Sequence, residues 1–296
     1  IRSAAAAGGF AADGADDSRG SKGECSTNGT DEDNRLQRLW GACVRLVFRM
    51  EDNEPLWVVP WHYQTIVKVM MLWFLAFWLV GSWGMPLAAQ FIGCDRAGLS
   101  YRGQAFYSLL TDISEMTVGL TILYRCLERY MPLSGEWFPV RLKGAWKGKA
   151  PWLKDVFWAC AVFPLVNILS QINQDLLPVA GDAWPSGSPL ELSLTSRDPI
   201  ANLLYVLVVS VCAPVWEEVI FRGFLLPSLS RYLPIGGSVV VSAVAFALAH
   251  FSLQRLLPLF FLGVVMGVVF VRSRNLMASM LLHSLWNGFV FLQLLS

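Results

Sequence analysis

Pro199-Ile-Ala-Asn-Leu-Leu-Tyr-Val-Leu-Val-Val-Ser-Val-Cys-Ala-Pro-Val-Trp-Glu217-Glu218-Val-Ile-Phe-Arg222 is an apolar run that ends in two adjacent carboxylates and a guanidinium. Continued to residue 226, it has the length of a membrane-spanning helix, which needs about 20 mainly apolar residues. Ionisable groups inside such a helix are costly and mark function. Glu218 and Arg222 stand one helical turn apart, so the cation can keep that carboxylate ionised and in place. Glu217 lies about 100° round the helix and is not held in this way, which leaves it free for chemistry. The competing reading makes both acids a structural ion cluster at a helix end.

Further apolar runs near 66–89, 104–124, 153–178, 235–253, 256–271 and 276–295 bring the expected total to about seven helices. With 55% hydrophobic residues, 13 Trp and 18 Phe, the chain carries more apolar surface than a soluble domain buries. The expected fold is therefore all-α, a polytopic membrane helix bundle. Asp112 and Glu115 interrupt the second run, which is expected to be partly lined by protein or inclined. Four parts follow: a disordered tail over 1–34, an interfacial segment over 35–63, N-terminal membrane helices over 64–198, and a catalytic helix core over 199–296.

The tail is rich in Ala, Gly, Ser and Asp and cannot bury enough to order itself. The chain starts at Ile1 rather than Met, as a fragment or processed form would. A transit peptide is a second reading of the tail, and the acidic run Asp31, Glu32, Asp33 counts against it for the segment as a whole. In the interfacial segment, Trp40, Trp57 and Trp61 are expected at headgroup level, with His62 beside them as an interface residue. Basic residues before the first span, in 125–154, and at Arg231, Arg272 and Arg274 share one side of an alternating topology, with Arg255 on the other.

A net charge of +1, with no interleaving of basic and aromatic residues, argues against nucleic acid as a partner. Six cysteines without a CxxC pair read as buried apolar residues rather than a metal or disulfide framework. The expected partners are the bilayer and a membrane-associated protein or peptide substrate.

Two more polar pairs stand at i and i+4 in apolar helices: Phe246 with His250, and His283 with Asn287. If the chain turns near Leu233, Glu217 and His250 lie roughly 24 Å from the turn on antiparallel helices, level with one another, and can meet. His283 and Asn287, stacked on one face, are expected to point into the bundle, because lipid would leave them unpaired. One carboxylate, two imidazoles and an amide suit water activation and stabilisation of a charged tetrahedral intermediate. No Ser or Cys beside the histidines stands out as a nucleophile.

The ordered set Glu217-Glu218-x-x-x-Arg222, Phe246-x-x-x-His250 and His283-x-x-x-Asn287 resembles the CAAX protease and bacteriocin-processing (CPBP) family of intramembrane endopeptidases, the type II prenyl-protein proteases and their bacterial relatives. Trp216, Gly223 and Trp286 resemble the plastid and cyanobacterial branch in particular. The resemblance implies an endopeptidase in which Glu217 with His250 activates water, His283 and Asn287 stabilise the oxyanion or help hold a metal, and Glu218, Arg222 and Phe246 give support. Zinc on Glu217, His250 and His283 and a metal-free glutamate mechanism both stay open. The branch implies a chloroplast membrane. A non-proteolytic scaffold or stabilising partner of other membrane proteins, on the same fold, is the alternative function. An ion carrier is a third, disfavoured because no internal repeat or broken-helix pair is seen.

Overall fold

The structure, a computed structural model, describes residues 39, 41–42, 47–48, 56–96, 98–142, 151–176 and 198–295. The tail expected over 1–34 and Trp40 lie outside them. The chain divides into two compact units. In the first, residues 1–43, the described residues are Leu39, Gly41 and Ala42, all helical. In the second, residues 44–296, the described part contains eight helices of 9 residues or more and no strand. These are α1 (Tyr63–Phe91), α2 (Tyr101–Leu127), α3 (Trp152–Cys160), α4 (Phe163–Leu176), α5 (Pro199–Leu229), α6 (Ile235–Ala249), α7 (Leu256–Ser273) and α8 (Leu276–Leu295).

The all-α bundle expected from the sequence is the observed fold, and the number of spans differs. α1, α5 and α7 with its leading turn (Leu253–Ser273) are long and apolar enough to cross a bilayer. The run 153–178, expected as one helix, is the pair α3 and α4, bent by 43°, and would be a fourth span if taken as one. α6 falls short in length at 15 residues, and α2 and α8 carry polar groups within their apolar faces, Asp112 with Glu115 and His283 with Asn287. Length and composition thus support three or four spans among the described residues rather than seven. Only 22% of the most apolar window of α1 and 33% of that of α5 is buried inside the protein, and Trp78, Trp83 and Phe91 stand exposed. Such faces require a hydrocarbon surrounding.

Proline shapes α1 and α5. Pro86, Pro214 and Pro227 each sit in the first turn that follows a stretch wound more widely, with bonds five residues back: Val80–Gly84, Val208–Cys212 and Val219–Leu225. A proline has no N–H and its ring crowds the carbonyl one turn earlier, and a wide turn absorbs both defects without ending the helix. Inside a membrane the carbonyls so released need partners. The Asn287 amide donates to Val209 O, five residues before Pro214, at 2.6 Å; the Ser242 hydroxyl adds a second bond, at 3.0 Å, to Phe221 O, which also accepts from Leu226 N–H. In α1 the wide turn contains Gly81, where a Cβ would lie 2.6 Å from Glu115 Oε1 of α2.

α5 starts on Asp198, whose carboxylate accepts from the Ile200 and Ala201 amides and from Arg102 Nε at 2.8 Å, with Pro199 in the first turn. The Arg102 hydrogen bond first, then the two capping amides, hold this carboxyl below the usual carboxylate range. α6 and α7 approach closely: Gly263 faces Ala243, where a Cβ would lie 3.0 Å from the Ala243 Cβ, and Gly267 faces Val239. The pair Gly263, Gly267 is the small-residue spacing that lets membrane helices pack backbone to backbone.

The arginines assigned to one side gather at one end. Arg231 donates to Val59 O and Trp61 O, Arg272 to Val47 O and Asp155, and Arg274 to Leu56 O. The segment they clasp turns two of its indoles inward instead of out to headgroups. Trp61 is fully buried and donates to Ser228 Oγ at 2.9 Å, and Trp57 stacks on Phe270 with 5.7 Å between centroids. The correction has a simple cause, since carbonyls held by three arginines bring the adjacent rings against the core, where each gains more burial.

Asn173 of α4, fully buried, uses both ends of its amide on the connector between α6 and α7: it donates to Leu253 O (2.9 Å) and accepts from Leu257 N (3.0 Å). Asn173→Leu strands both backbone groups and is expected to cost about 2–4 kcal/mol. Thermal unfolding of the purified protein in detergent checks this, and an unchanged melting temperature is the contrary result.

Candidate active site

The site begins with the charge pair in α5. Arg222 Nη1 lies 2.6 Å from Glu218 Oε1, with both side chains fully buried. The guanidinium also donates to Gly263 O at 3.2 Å and stacks 4.4 Å from the centroid of Phe246. Charges taken out of water to this extent depend on their partners, and because Glu218 Oε2 is buried without a hydrogen-bond partner, Oε1 carries the pairing. The same Oε1 takes a second bond, from His283 Nδ1 at 3.1 Å, so Glu218 links α5 to α8.

That bond sets the tautomer of His283. A carboxylate paired with arginine accepts only, so Nδ1 carries the proton and Nε2 keeps a lone pair. Nε2 lies 3.8 Å from Glu217 Oε2, and this oxygen is buried without a hydrogen-bond partner in the protein. The same logic applies to His250: its Nδ1 lies 2.9 Å from Phe246 O, a carbonyl can only accept, and Nε2 again has the free lone pair. Phe246, fully buried, sets both rings. Its centroid is 4.8 Å from that of His250 and 5.6 Å from that of His283, both edge-to-face. Asn287 spends one amide proton on Val209 O and has one left.

Glu217, His250, His283 and Asn287 all line one cavity of about 400 Å³, bounded by α4, α5, α8 and the α6–α7 connector. Helix lengths alone pair Glu217 with His250, whereas the imidazole found against the Glu217 carboxylate is His283. Its Glu218 bond draws the ring across, a contact between residues 65 apart that no local spacing reports. Glu218, Arg222 and Phe246 are buried beside the site and do not line the cavity. Asn167, Ser170 and Gln174 of α4 also line the cavity. They were not among the residues singled out from the sequence, although a polar stripe at i, i+3 and i+7 in an apolar run was there to be read. Among the described residues no three His, Cys, Asp or Glu side chains converge closely enough to hold a metal ion. The zinc set Glu217, His250 and His283 is therefore not met by the side chains as they stand.

Buried ion pair, two histidines with fixed tautomers and an unpartnered carboxylate oxygen, all set among apolar helices, define a membrane-embedded polar site. Residues 199–289, from the start of α5 into α8, match the family described as "Rce1-like: Type II CAAX prenyl endopeptidase Rce1-like", and all three motifs fall inside the matched stretch. The chain is similar to the "Membrane-embedded CAAX protease MroQ" of Staphylococcus aureus (strain USA300), with 30% identity over 141 residues, 45% of this chain and 56% of that one. It is also similar to an Escherichia coli protein described as "Uncharacterized 24.3 kDa protein", with 28% identity over 220 residues, 71% of this chain and 92% of that one. The match thus spans little more than half the length of MroQ. No solved structure matches.

Proposed function

We propose that the protein is an intramembrane endopeptidase that hydrolyses a peptide bond with water activated by Glu217. The observation that carries this reading is the Glu217 carboxylate oxygen, buried, without a protein partner, and beside an imidazole lone pair in a cavity that two histidines share. The Rce1-like match and the similarity to a CAAX protease support the same reaction class.

In the proposed reaction Glu217 removes a proton from water while the oxygen attacks the scissile carbonyl carbon, and His250 Nε2 orients that water. The carbonyl oxygen becomes an oxyanion, stabilised by the free Asn287 N–H and, as the proton that Glu217 takes from water is shared with His283 Nε2 beside it, by the imidazolium so formed. The Glu218 carboxylate favours a positive charge on His283 as the negative charge develops. Glu217 then returns its proton to the amine as the C–N bond breaks, and a carboxylic acid and an amine leave. Arg222 keeps Glu218 ionised throughout, so that His283 always has an acceptor for Nδ1–H.

The test uses the purified protein in phosphatidylcholine liposomes with fluorogenic peptides ending in a CAAX sequence, farnesylated and unmodified. His250→Ala is expected to lower kcat by about 10²–10⁴-fold while helicity and insertion are unchanged. Metal content is measured on the same samples, and one zinc per chain that Glu217→Gln removes would replace the metal-free scheme by a metal-centred one. Wild-type cleavage by His250→Ala would remove that residue from the mechanism. Rescue of a deletion phenotype by a chain substituted at all four cavity residues would favour the scaffold reading. Residence in a chloroplast membrane rests on the resemblance at Trp216, Gly223 and Trp286, and imaging of the tagged chain tests it.

A further inference from the structure

Glu217 lies in a six-residue stretch, Ala213–Glu218, bounded by the wide turns Val208–Cys212 and Val219–Leu225. A wide turn on each side keeps the helix hydrogen-bonded but departs from the regular four-residue ladder, so the rotation of this stretch about the axis differs from that of an unbroken α-helix. Side-chain anchors hold it at that rotation. One anchor is Glu218, tied to Arg222 and His283. The other is on a different side of the helix: Trp216 donates from Nε1 to Asp112 Oδ1 of α2 at 3.2 Å, in a contact between buried side chains 104 residues apart. The Trp216 ring also packs on Trp73 and Phe77 of α1, at 5.5 and 5.9 Å between centroids. Glu217 stands between the two anchors and has no hydrogen-bond anchor at Oε2.

The mechanism uses neither Asp112 nor Trp216, and Asp112 lies outside the matched stretch 199–289. A carboxylate in an apolar helix carries a cost, and here only one oxygen is used, since Oδ2 is buried without a partner. Packing alone would be served by an apolar residue, whereas an acceptor at this point serves the indole.

Resting on the peptidase reading, we propose that Asp112 is a positioning residue for that reaction, acting through the Trp216 indole to fix the rotation at which Glu217 meets the water. With side chains at about 5–6 Å from the helix axis, a 10° rotation moves the carboxylate by roughly 1 Å, a displacement of the size that costs about 10²-fold in rate. The interaction needs an acceptor, not a charge.

The test is kinetic, on the full chain in liposomes with the farnesylated fluorogenic peptide. Asp112→Leu is expected to lower kcat by about 10–100-fold with KM changed by less than about twofold. Asp112→Asn keeps an oxygen acceptor and is expected to restore kcat to within about threefold of the native chain. Trp216→Phe keeps the ring packing and removes the N–H, and should match Asp112→Leu. The double variant should be no slower than either single one, the signature of residues acting as a unit. Native kcat in Asp112→Leu overturns the proposal. So does a loss in Asp112→Asn as deep as in Asp112→Leu, or a double variant whose losses multiply. Glu217→Gln separates this failure from that of the peptidase reading. If it is inactive while Asp112→Leu is native, only the positioning role falls, and if it still cleaves, both fall.

Discussion

Glu217→Gln is expected to lower cleavage of the farnesylated peptide by at least about 10³-fold, some 4 kcal/mol of transition-state stabilisation, with little change in thermal stability. Glutamine occupies the same volume and can still hydrogen-bond, but it takes no proton from water. Stability should hold because Oε2 has no partner in the protein to lose. Replacing a carboxylate whose Oε2 is buried without a partner with an amide is expected to leave the fold unchanged or slightly steadier. A steady-state assay beside a melting curve in detergent measures both, and native turnover in this variant would remove Glu217 from the chemistry.

Arg222→Met should lose stability as well as activity. Methionine fills the same channel beside Phe246 but leaves Glu218 as an uncompensated charge in a site with no exposure to solvent. Breaking such a pair from one side typically costs about 3–5 kcal/mol, and the cation-π contact on Phe246 is lost as well. Glu218 would also become neutral or move, and His283 would lose the acceptor that sets its tautomer. The protein is therefore expected to melt well below the native chain and to be inactive. The double variant Glu218→Gln/Arg222→Met removes both charges and should recover most of the stability without activity. If the single Arg222→Met variant melts with the native chain, the ion pair is not what fixes this end of α5.

Local helical spacing accounts for much that could be read without coordinates. Residues four apart share a face whatever the rest of the chain does, so the Glu218–Arg222 contact and the stacking of Phe246 on His250 followed from the sequence. The number of spans did not. A window of apolar residues says nothing of the 43° bend between α3 and α4, and the polar groups that line a bundle interior make α2 and α8 look less like membrane helices. Composition places Trp57 and Trp61 at headgroup level, and their burial depends on two arginines, Arg231 and Arg274, that reach their segment from distant turns.

What the sequence by itself determined is the all-helical, membrane-embedded class and the three polar pairs, because both depend on apolar run length and a 3.6-residue repeat. Only the tertiary structure decided that His283 stands against Glu217, that Asn287 and Ser242 donate to carbonyls in the wide turns of α5, and that Trp216 is tied to Asp112. Each of these contacts joins residues from different helices. Its geometry depends on the relative rotation of packed helices and on where prolines widen a turn, and neither is written in the spacing of residues along one helix.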